Sequence, residues 1–105
     1  SGNSFVHETE SQVILNGSYN INFTMDLVLK DTGLFDDLAK KLNAGLEISP
    51  KIVEIFKDGQ KKYGSRAWSS MIVKRMEDFN NINFRADGFP KELTDNEPEE
   101  KGYEI

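Results

Sequence analysis

The sequence predicts an all-α fold, a small bundle of three to four main helices followed by an irregular acidic tail. Three observations carry that expectation. Apolar residues recur at helical spacing in successive stretches, most clearly at Leu27, Leu34, Leu38 and Leu42. Helix start and stop signals separate those stretches: Asn16-Gly17-Ser18, Asn43-Ala44-Gly45, Ser49-Pro50 and Gly64. Periodicity is lost after about residue 80, where the chain turns acidic.

A first short helix is predicted from about Phe5 to Leu15, with Ser4 as its cap. Val13-Ile14-Leu15 alternatively forms a buried plug without period. A long helix follows from about Thr24 to Asn43, capped by Thr24 or Asn22, with Asp26 in its first turn and Gly45 as a left-handed stop. Its expected core stripe is Leu27, Leu34, Leu38 and Leu42, with Phe35 and Ala39 beside them. The next helix runs from Ser49-Pro50, a serine cap and a proline in the first turn, to about Tyr63. Its stripe is Ile52, Ile55, Phe56, Gly59 and Tyr63. A last helix is expected from Ser65 or Arg66 to Phe79, packing Trp68, Met71, Ile72, Met76 and Phe79 as core. Residues 1–90 are read as the helical domain and 91–105 as the acidic tail. That tail holds six acids against two bases and so carries −4 of the chain's net −5. It is expected either to be disordered or to be laid over the surface by Phe84, Phe89, Leu93 and Tyr103.

One domain with a single core is what 105 residues allow. The absence of cysteine excludes a disulfide framework, a thiolate metal site and a cysteine nucleophile, and it fits a reducing, cytoplasmic setting. No apolar run approaches the ~18 residues of a membrane span. The net charge and a pI near 4.8 argue against nucleic-acid binding. The lysine pairs 40–41 and 61–62 sit where cations favour helix C-termini. A single histidine, His7, makes a histidine metal site or a catalytic triad implausible, and no metal site is expected. The chain opens on Ser1-Gly2 without methionine, as a cloning scar or a start inside a longer protein would.

Lys30 and Asp31 are the oddity. They interrupt the stripe of the long helix, and charge on a core-facing side needs a partner. Two readings stay open from the residues alone. Lys30 snorkels to water while Asp31 pairs within the bundle. Alternatively, the Lys30 ammonium reaches an anionic or hydroxyl-rich ligand at a cleft, held by the adjacent acid.

Phe23, Leu27, Leu29, Lys30, Asp31 and Leu34, followed by a Ser-Pro helix ending Tyr63-Gly64, resemble the C-terminal domain of the 3-hydroxyisobutyrate dehydrogenase family of β-hydroxyacid dehydrogenases. Tyr63–Ser70, Val73-Lys74-Arg75 and Gly88-Phe89-Pro90 are similar to later segments of some members, and Ser1-Gly2-Asn3-Ser4 to a stretch inside them. The resemblance implies an NAD(P)-dependent oxidoreductase of short 3-hydroxy acids, with a homo-oligomer as the assembly. It implies Lys30 as a cofactor contact, Phe23 as a lining of the cleft and Asp31 as a support for Lys30. It also implies a Rossmann half and a catalytic-lysine helix, neither of which is in this chain, so no residue here is expected to be catalytic and the chain alone is expected to be inactive. The other reading is a non-enzymatic helical module that binds a partner through its apolar stripes.

Overall fold

The computed structural model describes residues 2–104. It is all-α: α1 is Phe5–Asn16, α2 Met25–Lys41, α3 Ser49–Tyr63 and α4 Lys74–Asn80, with a 3₁₀ segment at Ser69–Val73 leading into α4. The Ser4 hydroxyl caps α1 by accepting from the His7 amide at 3.4 Å. Gly17, at φ 92°, closes it.

α2 and α3 form an antiparallel pair, the main packing of the chain. Met25 lies against Gly59 near one end, and the Ser49 hydroxyl donates to Asp36 at 2.6 Å near the other. A Cβ at Gly59 would sit 2.8 Å from Ile72 Cδ1, so a missing side chain there is what lets Met25, α3 and the 3₁₀ segment meet. The 3₁₀ segment is the hub, touching α1, α3 and α4. Val13, Tyr19, Met25 and Ala39 are the buried apolar residues, joined by Thr24, Ser69, Ser70 and Glu77.

The structure overturns four local expectations. The stripe expected to be core is exposed: Leu34 is 61% and Leu42 69% accessible, and Leu27, Phe35 and Leu38 are exposed too. At ~100° per residue, the buried Met25 and Ala39 lie roughly 140° and 100° round α2 from the middle of that stripe, and Ala39, expected beside it, is the one member of the set that is buried. α2 thus has two apolar faces, and α3 takes the one with the weaker sequence signal. Next, the last helix does not begin at residue 65 or 66. The Ser69 amide donates to Phe23 O at 2.7 Å and the Met25 amide to Ala67 O at 2.9 Å. This short Thr24–Trp68 bridge holds 67–69 extended before the chain can coil. Met76 and Phe79, at 47% and 84% accessible, consequently stand outside the core. Third, the left-handed stop of α2 is Asn43, at φ 52°, and not Gly45. The Ala44 amide reaches Ala39 O and the Asn43 amide Lys40 O, a Schellman closure with asparagine at its centre. Fourth, neither the Thr24 cap expected for α2 nor the Ser49 cap expected for α3 accepts a hydrogen bond from a helix amide with its hydroxyl oxygen. Ser49 is the first residue of α3 with its hydroxyl on Asp36, and Thr24 turns its hydroxyl to Asp26.

Beyond α4, residues 82–91 form a strap across the end of α1. The Ala86 amide donates to Leu15 O at 3.1 Å, the Asn16 amide group to Phe89 O at 2.9 Å and the Ser18 hydroxyl to Lys91 O at 2.6 Å. Of the apolar residues further on, Leu93 is half-buried and Tyr103 is exposed.

α3 and α4 are tied by polar contacts that make stability depend on pH. The Tyr63 hydroxyl donates to Asp78 at 2.7 Å, and Lys74 meets the other oxygen of Asp78 at 2.8 Å. Burial and the hydrogen bond to Asp78 push the Tyr63 phenol up to about 12 from 10. A folded-state value above the unfolded one means that this contribution is complete below pH 10 and lost as pH rises through 12. Asp78, held by Lys74 and Tyr63, and Asp58, held by Arg75 and Lys62, lie below the ordinary 3.8. Their contributions are present above that value and fade as pH falls below it. The expected profile is a plateau between about pH 5 and 10 with losses on both sides. Urea unfolding across pH, with tyrosinate absorbance followed on the alkaline limb, checks it. Unchanged stability from pH 10 to 12 would contradict the Tyr63 link.

Candidate functional site

Lys30 stands at the edge of an open groove of about 490 Å³ between α2 and α3. Successive turns of α2 bring Lys30, Gly33, Asp37 and Lys40 to one wall, and Val53, Lys57 and Gln60 of α3 form the other. The volume lies in the range of small-molecule pockets.

The groove is more cationic than the chain. Among the described residues, none of the six ion pairs uses Lys30, Lys40 or Lys57. Its acids are largely engaged. Asp26 accepts from the Thr24 hydroxyl, from the Leu27 amide at 2.9 Å and from Arg66 at 3.4 Å, and these contacts, Thr24 first, hold its carboxyl below the ordinary value. Asp36 takes the Ser49 hydroxyl and is half-buried. With Arg66 included, four cations meet three carboxylates in a protein of net charge −5. Gly33 adds open backbone: no other group comes within 4 Å of the position its Cβ would take. Free ammonium groups beside an unobstructed backbone suit an anionic, oxygen-rich ligand such as a phosphate ester.

The three residues singled out from sequence do not converge. Lys30 lines the groove. Asp31 lies ~100° further round α2. It is exposed, has no hydrogen bond or ion pair among the described residues, and faces out among the leucines. Phe23 precedes α2; its carbonyl accepts from the Ser69 amide, and its side chain is partly exposed at the helix entrance. Sequence reasoning missed Lys57 and Gln60, and it read Lys40 only as a helix-end cation. The signal was present as the i, i+4, i+7 spacing of Val53, Lys57 and Gln60, but using it requires the α2–α3 register.

A second polar cluster, also missed, is closed. Glu77 is 1% accessible. It accepts from the Tyr19 hydroxyl and from Arg85 at 3.2 Å, while Arg85 also donates to the Tyr19 oxygen at 2.8 Å and lies over its ring. Burial, then the contact with Glu77, pushes the Tyr19 phenol upward. Tyr19 adopts φ 54°, and its carbonyl accepts from the Ser70 hydroxyl at 2.6 Å. Every charge in this cluster has a partner, so it fastens the strap to the core and offers no reactive group. Among the described residues no group of three or more His, Asp or Glu side chains is placed to hold a metal ion. Among the described residues no helix is long and apolar enough to cross a membrane.

An all-α unit with free lysine ammonium groups over an open groove is a helical domain suited to an anionic ligand. Residues 1–76 match the family model described as NAD-binding of NADP-dependent 3-hydroxyisobutyrate dehydrogenase, and the chain belongs to that family. The match takes in α1, α2, α3 and the 3₁₀ segment, and with them the whole groove. The family's cofactor is NAD(P), whose phosphates are the kind of group that the free lysines fit. No curated protein and no solved structure shows significant similarity to the chain.

Proposed function

We propose that the chain is the helical, C-terminal wall of the active-site cleft in a cytoplasmic NAD(P)-dependent oxidoreductase acting on a short 3-hydroxy acid. Lys30 contacts the cofactor and Phe23 lines the entrance of the cleft, while Asp31, ~100° round α2 and without a bond to Lys30, takes no part in holding it. The observation behind this reading is the free Lys30 ammonium in a groove whose acids are mostly engaged.

NAD(P) supplies the hydride acceptor when bound. The residues of this chain do the rest that falls to them. Lys30 donates charge-assisted hydrogen bonds to an anionic oxygen, Lys57 and Lys40 raise the local potential, and the exposed backbone at Gly33 allows close approach. Hydride transfer itself depends on holding donor and acceptor in line, which one lysine-lined wall does not do alone. The dinucleotide-binding half of the parent provides the opposite wall. The exposed leucine face of α2 favours an oligomer contact alongside this role.

Lys30→Ala is expected to weaken NADPH binding at least tenfold in the intact enzyme. Hydrogen bonds to charged groups are worth ~1.5–3 kcal/mol, and ~1.4 kcal/mol is a factor of ten. The variant keeps its helical content because Lys30 is exposed. Calorimetric titration checks it, and an unchanged affinity would remove Lys30 from the site.

A further inference from the structure

Asn16 and Gly17 form the chain's one Asn-Gly pair, and they lie where the strap crosses the end of α1. The strap imposes both residues. Gly17 has φ 92°, and a Cβ there would stand 2.6 Å from Arg85 Nε, so a side chain meets strain and a clash together. Asn16 is held through its side-chain amide, which donates to Phe89 O at 2.9 Å. These two demands assemble the dipeptide most prone to lose its amide. Asparagine is a thermolabile residue, and a following glycine offers a backbone nitrogen that no side chain shields.

The reaction is imide closure. The Gly17 nitrogen attacks Asn16 Cγ and the Cγ–Nδ2 bond breaks. Nδ2 leaves as ammonia, carrying the proton that the Gly17 nitrogen gives up. Water then opens the ring at either carbonyl and leaves aspartate or isoaspartate. No electron is gained or lost.

The closed strap opposes each part of the first step. The Gly17 amide donates to Val13 O at 3.1 Å and to Ile14 O at 3.0 Å, so the attacking nitrogen is committed to the helix end. Ring closure brings Asn16 Cβ and the Gly17 nitrogen nearly into eclipse, and a helical ψ at Asn16 holds them apart. The Phe89 carbonyl retains the leaving amide. Water is not the barrier, because Asn16 is exposed and Gly17 half-buried. The strap must first lift and the last turn of α1 must fray, which is a local opening.

We propose that Asn16-Gly17 is a spontaneous deamidation site gated by the strap, and that its deamidation releases the strap from α1 in one direction only. Aspartate at position 16 has no proton to donate to Phe89 O. It sets a carboxylate against a carbonyl, at a helix C-terminus where negative charge is unfavourable. Isoaspartate lengthens the backbone ahead of Gly17 and breaks its left-handed closure. The contacts of Arg85, Ala86 and Phe89 with the end of α1 weaken together.

Timed incubation of the full chain at mildly alkaline pH, with peptide mapping by mass spectrometry, tests this. Asn16 in the native chain should deamidate at least ~tenfold more slowly than in the same chain unfolded in urea, a protection of ~1.4 kcal/mol or more. Ala86→Pro removes the amide that donates to Leu15 O and leaves Asn16, Gly17 and Arg85 in place. It should speed the native reaction by about two- to tenfold, the worth of one backbone hydrogen bond, while α2–α3 amides keep their hydrogen-exchange protection. Asn16→Asp, made directly, should lower protection of the Ala86 amide and spare the α2–α3 pair. Positions 16 and 86 are exposed, and the comparison with urea needs no variant. A native rate equal to the unfolded one, an unchanged rate in Ala86→Pro, or an Asn16→Asp chain with the Ala86 amide as protected as in wild type would each overturn the proposal. None of these readings involves cofactor, so the role of Lys30 stands or falls separately.

Discussion

Arg85→Ala is expected to destabilise the fold by about 3 kcal/mol, a large effect for a solvent-edge residue. The reason is what the arginine leaves behind. Glu77 is buried, with one ionic partner, Arg85. Removing that partner strands a carboxylate in a poorly solvated place, which costs more than the pair itself contributes. The loss should also have a location. Arg85 bonds Ile14 O and Phe84 O besides Glu77 and Tyr19, and the next residue, Ala86, is hydrogen-bonded to Leu15 O. The Ala86 amide should therefore lose hydrogen-exchange protection before amides of the α2–α3 pair do. Adding Glu77→Gln removes the stranded charge, so the double variant should be more stable than Arg85→Ala alone. Urea unfolding measures both, and a loss under ~1 kcal/mol would mean that the clasp does not hold the strap.

Met25→Ala should cost a comparable amount, about 2–5 kcal/mol. Met25 is fully buried and is the largest such side chain. Its sulfur and methyl fill the space over Gly59, where α3 and the 3₁₀ segment converge. Its amide is pinned to Ala67 O, so the backbone cannot settle into the cavity. In a domain of this size each 1 kcal/mol lowers Tm by ~4–8 °C, and calorimetry should show a drop of at least ~8 °C, the product of the two low ends. A shift of only a few degrees would place the core elsewhere.

The sequence revealed the elements more readily than their faces. α1, α2 and α3 appear where spacing and punctuation put them, because Ser4, Pro50, Gly17 and Gly64 act locally. The inside of α2 was not legible. Periodicity identifies an apolar side but not which of two sides this chain covers, and the stronger stripe, from Leu27 to Leu42, is the uncovered one. The start of the last helix was hidden for a related reason. Trp68, Met71 and Ile72 keep helical spacing, while the hydrogen bonds from 67–69 to 23–25 that prevent a helix come from far away in sequence. Lys30 was legible because a charge broke a pattern. Lys57 and Gln60 were not, since nothing local distinguishes them from ordinary surface residues. Tyr19, Glu77 and Arg85 are distant from one another in sequence, so only folding makes them a cluster.

Whether the α2–α3 groove meets the cofactor is read by an NADPH titration of the isotope-labelled protein followed by amide chemical shifts. Saturable shifts are expected at Lys30, Gly33, Lys57 and Gln60, weakening with added salt as lysine–phosphate contacts do. Shifts confined to the strap over α1, or to Phe35 and Ile48 at the α2–α3 turn, would contradict a cofactor role for the groove.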